Sequence, residues 1–477
     1  SGKKPRKDKK QCPCTIKLGG KKRQGDRLLK KAGSKPKEDE CVDLQLHSVR
    51  FLDDLTIHKD MVGRADPITG AEWENSSIKQ FKNEPVGYAG GTQMRVEVKF
   101  KPIRPPKEKT VTGVIKGVTT VKKKDGSKID IELLMKPGEK VTLPKGSTSL
   151  IGPVVLRAKN NQKDIDWEKM TPFYDKMEID WKFAPTTTPK DADFKRVDSS
   201  EHKVYVTLDK PENKEGELYL TLLHLATSVP GAKTRPEAVE NTWSRFANPT
   251  GEDDLTTWDN RKLYYYDKGK GMADCIAHGV GSFLTSSDGN GGCNAFAELF
   301  MEALLVNGIP EDAFRRINIR FPDHDKDDMV MMINNWETKS GKPPRLSNRL
   351  ILERIFSSMV PVPDETDDNN NPVYGDFVSL PGIAGQNTRT PSEKAFHKHW
   401  IVKVLFDKFQ QKPYYDPSYG KTYTKDDFVE NTLYGFAKHL SEDMLGVYRY
   451  QRKIPSGNPI LFIESRFSAP IPHGDAD

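Results

Sequence analysis

Gly291-Gly292-Cys293-Asn294-Ala295-Phe296-Ala297-Glu298-Leu299-Phe300 opens the strongest helical signal in the chain, which runs on to Val306. Phe296, Leu299, Phe300, Ala303 and Leu304 recur at i, i+3, i+4, i+7 and i+8, the spacing that lays one apolar stripe along a helix. Asn307-Gly308 closes it with a left-handed stop signal. In front lies Ser287-Asp288-Gly289-Asn290-Gly291-Gly292, whose glycines permit tight turns and close backbone approach to a ligand. Cys293 therefore stands in the first turn of a helix. Unpaired N–H groups and the positive end of the helix dipole favour thiolate there. The same N–H groups can cradle an oxyanion, with the Asn290 amide as a second candidate donor. A cysteine buried only as packing has no use for such a loop. Cys275, among Asp274, Ile276 and Ala277, fits the packing role better.

A thiolate nucleophile needs a base, and the base needs an orienting carboxylate. Phe396-His397-Lys398-His399-Trp400-Ile401-Val402-Lys403-Val404-Leu405-Phe406 reads as a strand, and Pro413-Tyr414-Tyr415-Asp416 as a second. An antiparallel hairpin turning at Asp407-Lys408 sets His399 opposite Asp416 on one face, within reach of an imidazole–carboxylate hydrogen bond. His397, opposite Ser418, is the alternative base. His397, His399 and Asp416 also admit a zinc site, which would make Cys293 incidental.

Gly291 to Phe300, running into Leu304-Leu305-Val306-Asn307-Gly308-Ile309, resembles the nucleophile helix of the transglutaminase-like superfamily of cysteine-triad proteins. His399-Trp400-Ile401-Val402-Lys403-Val404 is similar to its histidine strand, and Tyr415-Asp416-Pro417-Ser418 to its aspartate strand. Trp400 follows His399 directly, where the family more often has one residue between. The resemblance covers about residues 285 to 420. It implies a papain-like α+β catalytic domain with Cys293, His399 and Asp416 as triad, no cofactor, and a protein or peptide substrate. It also implies a thioester from an amide, passed to water or an amine by a peptidase, deamidase, amidase or cross-linking enzyme. A catalytically silent binding module on the same scaffold is the alternative.

Before this region, short runs alternate apolar and polar residues: Val42 to Leu46, Met94 to Phe100, Val111 to Ile115, Ile129 to Leu133 and Val204 to Leu208. They predict a β-rich, sandwich-like unit. Helices are expected over Ala238 to Phe246 and Cys275 to Leu284. Trp258 and Tyr264-Tyr265-Tyr266 are candidates for a substrate groove or, more ordinarily, for core packing. Residues 362 to 392, rich in Asp, Asn, Pro and Gly, read as a solvated insertion with a lid as the sharper alternative.

The chain has 477 residues, 35% hydrophobic and 30% charged, a composition suited to two folded units. The expected organisation is a basic arm over 1–42, a β-rich region over 43–228, a catalytic domain over 229–465 and a tail over 466–477. No run approaches the ~18 apolar residues of a membrane-spanning helix. The net charge of +7 gathers in the first residues, with Lys3, Lys4, Arg6, Lys7, Lys9 and Lys10. That arm lacks the aromatics that stack on bases, which argues against nucleic acid and for a solvated linker. Five cysteines make no disulfide framework, so folding in a reducing compartment is expected. Cys12, Cys14 and Cys41 lack the partner a zinc site requires. The opening Ser1-Gly2-Lys3-Lys4, with no apolar segment behind it, suggests a processed product or fragment without an intact signal peptide. A β unit joined to such a catalytic domain behind a Lys-rich connector is similar to modular bacterial effectors or toxins engaged by secretion machinery.

Overall fold

The computed structural model describes residues 42–75, 82–107, 109–212, 217–247, 255–265, 279–321, 385–387, 398–428 and 460–466. It gives the backbone path alone for the strands Met329–Ile333, Ile351–Leu352, Pro363–Thr366, Pro372–Tyr374, Ala395–Phe396, Leu433–His439 and Tyr448–Gln451. The basic arm, Cys12, Cys14, Cys41, Tyr266, Cys275 and His397 lie outside the described residues. The chain divides into two compact units.

The first unit holds Ser1–Leu55, Ile68–Lys169 and Phe173–Val206. Its long strands are β1 (Asp43–Leu52), β2 (Arg95–Arg104), β3 (Val111–Lys122), β4 (Lys128–Met135), β5 (Ile151–Asn160), β6 (Phe173–Ala184) and β7 (Lys195–Thr207). They pair antiparallel in the order β1-β2-β5-β4-β3-β6-β7 within one 12-stranded sheet. Alternation drives this. In β2 the even positions Val96, Val98 and Phe100 are fully buried while their neighbours are not. Trp181, Tyr88, Phe51 and Phe100 are among the largest fully buried side chains of its apolar core. The Trp181 indole donates to Ser200 Oγ at 2.9 Å, and Ser200 Oγ lies 2.7 Å from His202 Nε2. Burial pushes His202 down to about 3, so the ring is neutral.

Two expectations are corrected. The sandwich-like region is one continuous sheet, because register shifts at Leu46/Ser48, Ile151/Val154 and Tyr174/Met177 bend the strands and curl the sheet on itself. The α+β, papain-like class is also overturned: strand outweighs helix by more than two to one, and the helices are few. Helical periodicity is sustained over one long segment, and the chain beyond it breaks into short strands.

The second unit holds Thr56–Pro67, Met170–Pro172 and Thr207–Asp477. Among the described residues its longer helices are α1 (Leu220–Thr227), α2 (Arg235–Ser244), α3 (Val280–Thr285) and α4 (Cys293–Val306). Thr234 and Glu237 form a reciprocal cap at the start of α2. The predicted stripe of α4 is wholly buried, each large side chain contributing roughly 1.5–3 kcal/mol. At its end Asn307 donates to Ala226 O at 2.8 Å and accepts from Leu208 N, tying α4 to α1.

Two short strands, β8 (Tyr264–Tyr265) and β9 (Asn290–Gly291), pair in parallel just before α4. A five-stranded antiparallel sheet packs beside the helix. Its strands are β10 (Phe314–Arg320), β11 (Lys398–Val404), β12 (Tyr414–Asp416), β13 (Lys421–Tyr423) and β14 (Leu461–Ser465), in the order β13-β12-β11-β10-β14. Trp243 of α2 meets Phe300 of α4 at 5.3 Å and Tyr415 of β12 at 4.9 Å, an edge-to-face cluster that joins helix to sheet. Among the described residues no helix is long and apolar enough to cross a membrane.

Candidate active site

The approach to Cys293 is set by backbone fit. Gly291 pairs with Tyr265, and a Cβ on it would fall 2.7 Å from the Phe283 ring, so any larger residue would have to displace that ring. Gly292 then takes an extended conformation and α4 begins at Cys293, with no side chain capping its first turn and no acidic residue in it. The N–H groups at this end therefore retain their positive potential. Cys293 is 6% exposed and carries a free thiol.

His399 comes from β11, level with Ile319 of β10, and Asp416 ends β12; both are fully buried. The two groups meet at 2.7 Å, Nε2 to Oδ2. Their register differs from the expected one. Val402 pairs with Tyr415 rather than with Pro413, because the chain makes a 3-10 turn over Asp407–Phe409 before β12 begins. Asp416 is thus level with Ile401, two residues from His399, and the imidazole reaches it along the diagonal on the same face of the sheet.

The carboxylate is held from other directions too. Oδ1 accepts from Ser418 N at 3.1 Å, and the buried hydroxyl of Tyr423 on β13 interacts with the same group. Burial and the Asp416 charge push Tyr423 well above the ordinary phenol value, so it stays neutral. Burial alone would lower the pKa of His399. The Asp416 charge and hydrogen bond, together with the Cys293 side chain facing it, outweigh burial and raise His399 to about 10. With Nε2 engaged by Asp416, Nδ1 is the nitrogen that can exchange a proton with the cysteine. Tyr419, with its ring 5.7 Å from the imidazole, walls the site, and Tyr265 packs against both Tyr419 and Phe296.

Cys293, His399 and Asp416 are thus brought together from α4, β11 and β12. Asn290 is buried in β9, and its backbone N–H donates to Asp288 Oδ1 at 3.2 Å. The alternative base His397 lies outside the described residues. Among the described residues no group of three or more His, Cys, Asp or Glu side chains is placed to hold a metal ion. Tyr265 is core, while Trp258 is half-buried and its indole donates to Asp60 O at 3.2 Å. Sequence reasoning missed Tyr423, in the short strand Lys421-Thr422-Tyr423 just beyond Asp416. It also missed Gln386, hidden in the polar insertion. The chain matches no family model and no curated protein.

Proposed function

We propose that this protein is a cysteine-dependent amide hydrolase or acyltransferase that works through a thioester on Cys293. The observation that carries the reading is the fully buried His399–Asp416 pair at 2.7 Å, with Cys293 facing it from an uncapped helix start. The resemblance of the three motifs to the transglutaminase-like superfamily supports the same chemistry. A buried imidazole that favours its protonated form stabilises the thiolate as an ion pair. The thiolate attacks the amide carbonyl, the C–S bond forms, and the N–H groups at the start of α4 stabilise the oxyanion, with the Asn290 amide proposed as second donor. His399 passes its proton to the departing nitrogen as the C–N bond breaks. Water or an amine then attacks the thioester, His399 takes its proton, and Cys293 leaves as thiolate. The substrate is a protein or peptide amide.

The test is to incubate the protein with a glutamine-rich protein such as casein and a biotinylated primary amine. Ammonia release, amine incorporation and new peptide termini are followed, and Cys293 is checked for an acyl adduct by mass spectrometry. Cys293-dependent product in any of the three channels supports the reading and selects among deamidase, cross-linking enzyme and peptidase. Product that persists in Cys293→Ala contradicts it.

A further inference from the structure

Gly385-Gln386-Asn387 lies between the two halves of the candidate triad. Gln386 is 1% exposed. On the aspartate side its backbone N–H donates to Ser418 O at 2.9 Å, and its side-chain Nε2 donates to Pro417 O at 2.9 Å. These are the two residues after Asp416, and Ser418 N is itself the donor to Asp416 Oδ1. On the cysteine side its carbonyl accepts from Tyr265 N at 3.1 Å, and Tyr265 pairs with Gly291, two residues before Cys293. The same Nε2 donates to Phe246 O at 2.8 Å, and the Phe246 ring packs 5.3 Å from Phe300 of α4.

The flanking residues keep this amide in place. A Cβ on Gly385 would fall 2.4 Å from the Tyr265 ring and 2.9 Å from Ser418 O, so only glycine lets the chain pass this close. Asn387 Nδ2 donates to Leu255 O at 2.7 Å and Leu263 O at 2.8 Å, fixing the segment that leads into β8. One residue is thus hydrogen-bonded to the corner that carries Asp416 and to the strand that neighbours the approach to Cys293.

We infer that Gln386 is a positioning residue for the triad: it fixes the distance between the Asp416 corner and the Cys293 approach, and so holds the thiol in register with His399. The inference rests on the proposed Cys293–His399–Asp416 reading. The thiolate–imidazolium attraction falls with separation, and displacement of about 1 Å is enough to weaken such a site severely.

The experiment is the pH dependence of Cys293 alkylation by iodoacetamide in wild type, Gln386→Met and Gln386→Asn, with thermal unfolding recorded in parallel. Methionine keeps the volume and loses both donors; asparagine keeps the amide and shortens its reach by one methylene. The expected result is a rate at pH 6 about tenfold lower in Gln386→Met, corresponding to a midpoint shifted up by about one pH unit. The rate above pH 9.5 is expected within about twofold of wild type, because every thiol is ionised there. Gln386→Asn is expected between the two, and decides on the same comparison if Gln386→Met does not fold. Folded variants whose profiles superimpose on a wild type that reacts at low pH overturn the inference and leave the triad standing. A wild type that titrates as an ordinary thiol overturns both.

Discussion

His399 and Asp416 share a 2.7 Å hydrogen bond without standing opposite each other: Tyr415 is level with Val402, and the imidazole crosses to the carboxylate on the diagonal. The pair depends on the side chains' reach and on the Ser418 N–H that fixes Asp416, with the Tyr423 hydroxyl buried beside it.

Asp416→Asn is expected to lower the proton affinity of His399. Without the carboxylate, the strongest influences that offset burial are gone and the imidazole holds its proton less tightly. In wild type the raised value contributes stability that is fully present below pH 6.5 and is lost as pH rises through about 10. The stability curve of Asp416→Asn is expected to be flatter over that window, measured by denaturant unfolding at pH 6, 8 and 10. Curves that run parallel across the window would contradict it.

Tyr423→Phe removes one hydroxyl and keeps the ring that stacks on Tyr414 and packs 5.1 Å from Phe428. Losing one buried hydroxyl beside the carboxylate should cost about 1 kcal/mol or less in stability. Alkylation of Cys293 at pH 6 is expected to slow several-fold while the fold is retained. An unchanged rate would mean that the phenol only packs.

Gly291→Ala places a methyl group 2.7 Å from Phe283. Overpacking of this kind costs about 1–3 kcal/mol, and here the displaced strand leads directly into Cys293. Both the denaturation midpoint and Cys293 reactivity should fall. A fall in stability alone would show that the β8–β9 pairing does not control the thiol.

Asp60 accepts from Thr221 N at 3.0 Å and Thr221 Oγ1 at 2.5 Å, anchoring the hairpin Ile57–Met61/Arg64–Pro67 to α1. Burial raises its pKa to about 6, although the Thr221 hydrogen bonds and the Arg261 charge work against the shift. A raised carboxyl favours its protonated form in the fold, so stability is lost as pH rises from 3.8 through about 6. Asp60→Asn should be more stable than wild type at pH 8, by on the order of 2 kcal/mol, with the gain vanishing near pH 4. A gain independent of pH would rule out this origin.

Much of this architecture is legible from local periodicity. The stripe Phe296, Leu299, Phe300, Ala303 and Leu304 lies on a helix that begins at Cys293, and the alternating runs at Met94, Val111, Ile129 and Val204 lie in or at the edge of strands. What alternation does not encode is where strands slip. The bulges that curl the first unit into one sheet, and the 3-10 turn that moves β12 by two residues against β11, come from turn geometry and packing. Gln386 was illegible for a different reason: its amide partners are 31 and 140 residues away in sequence. A polar residue in an Asn- and Gly-rich stretch looks solvated until the tertiary fold buries it.

The most direct measurement is the rate of Cys293 alkylation by iodoacetamide between pH 5 and 10, read at that residue by mass spectrometry, in wild type and His399→Ala. The account predicts a rate that stays high well below pH 8 in wild type and follows an ordinary thiol titration near pH 8.5 once His399 is removed. A wild-type rate that already follows the ordinary titration, unchanged in His399→Ala, would contradict the ion pair and the catalytic reading built on it.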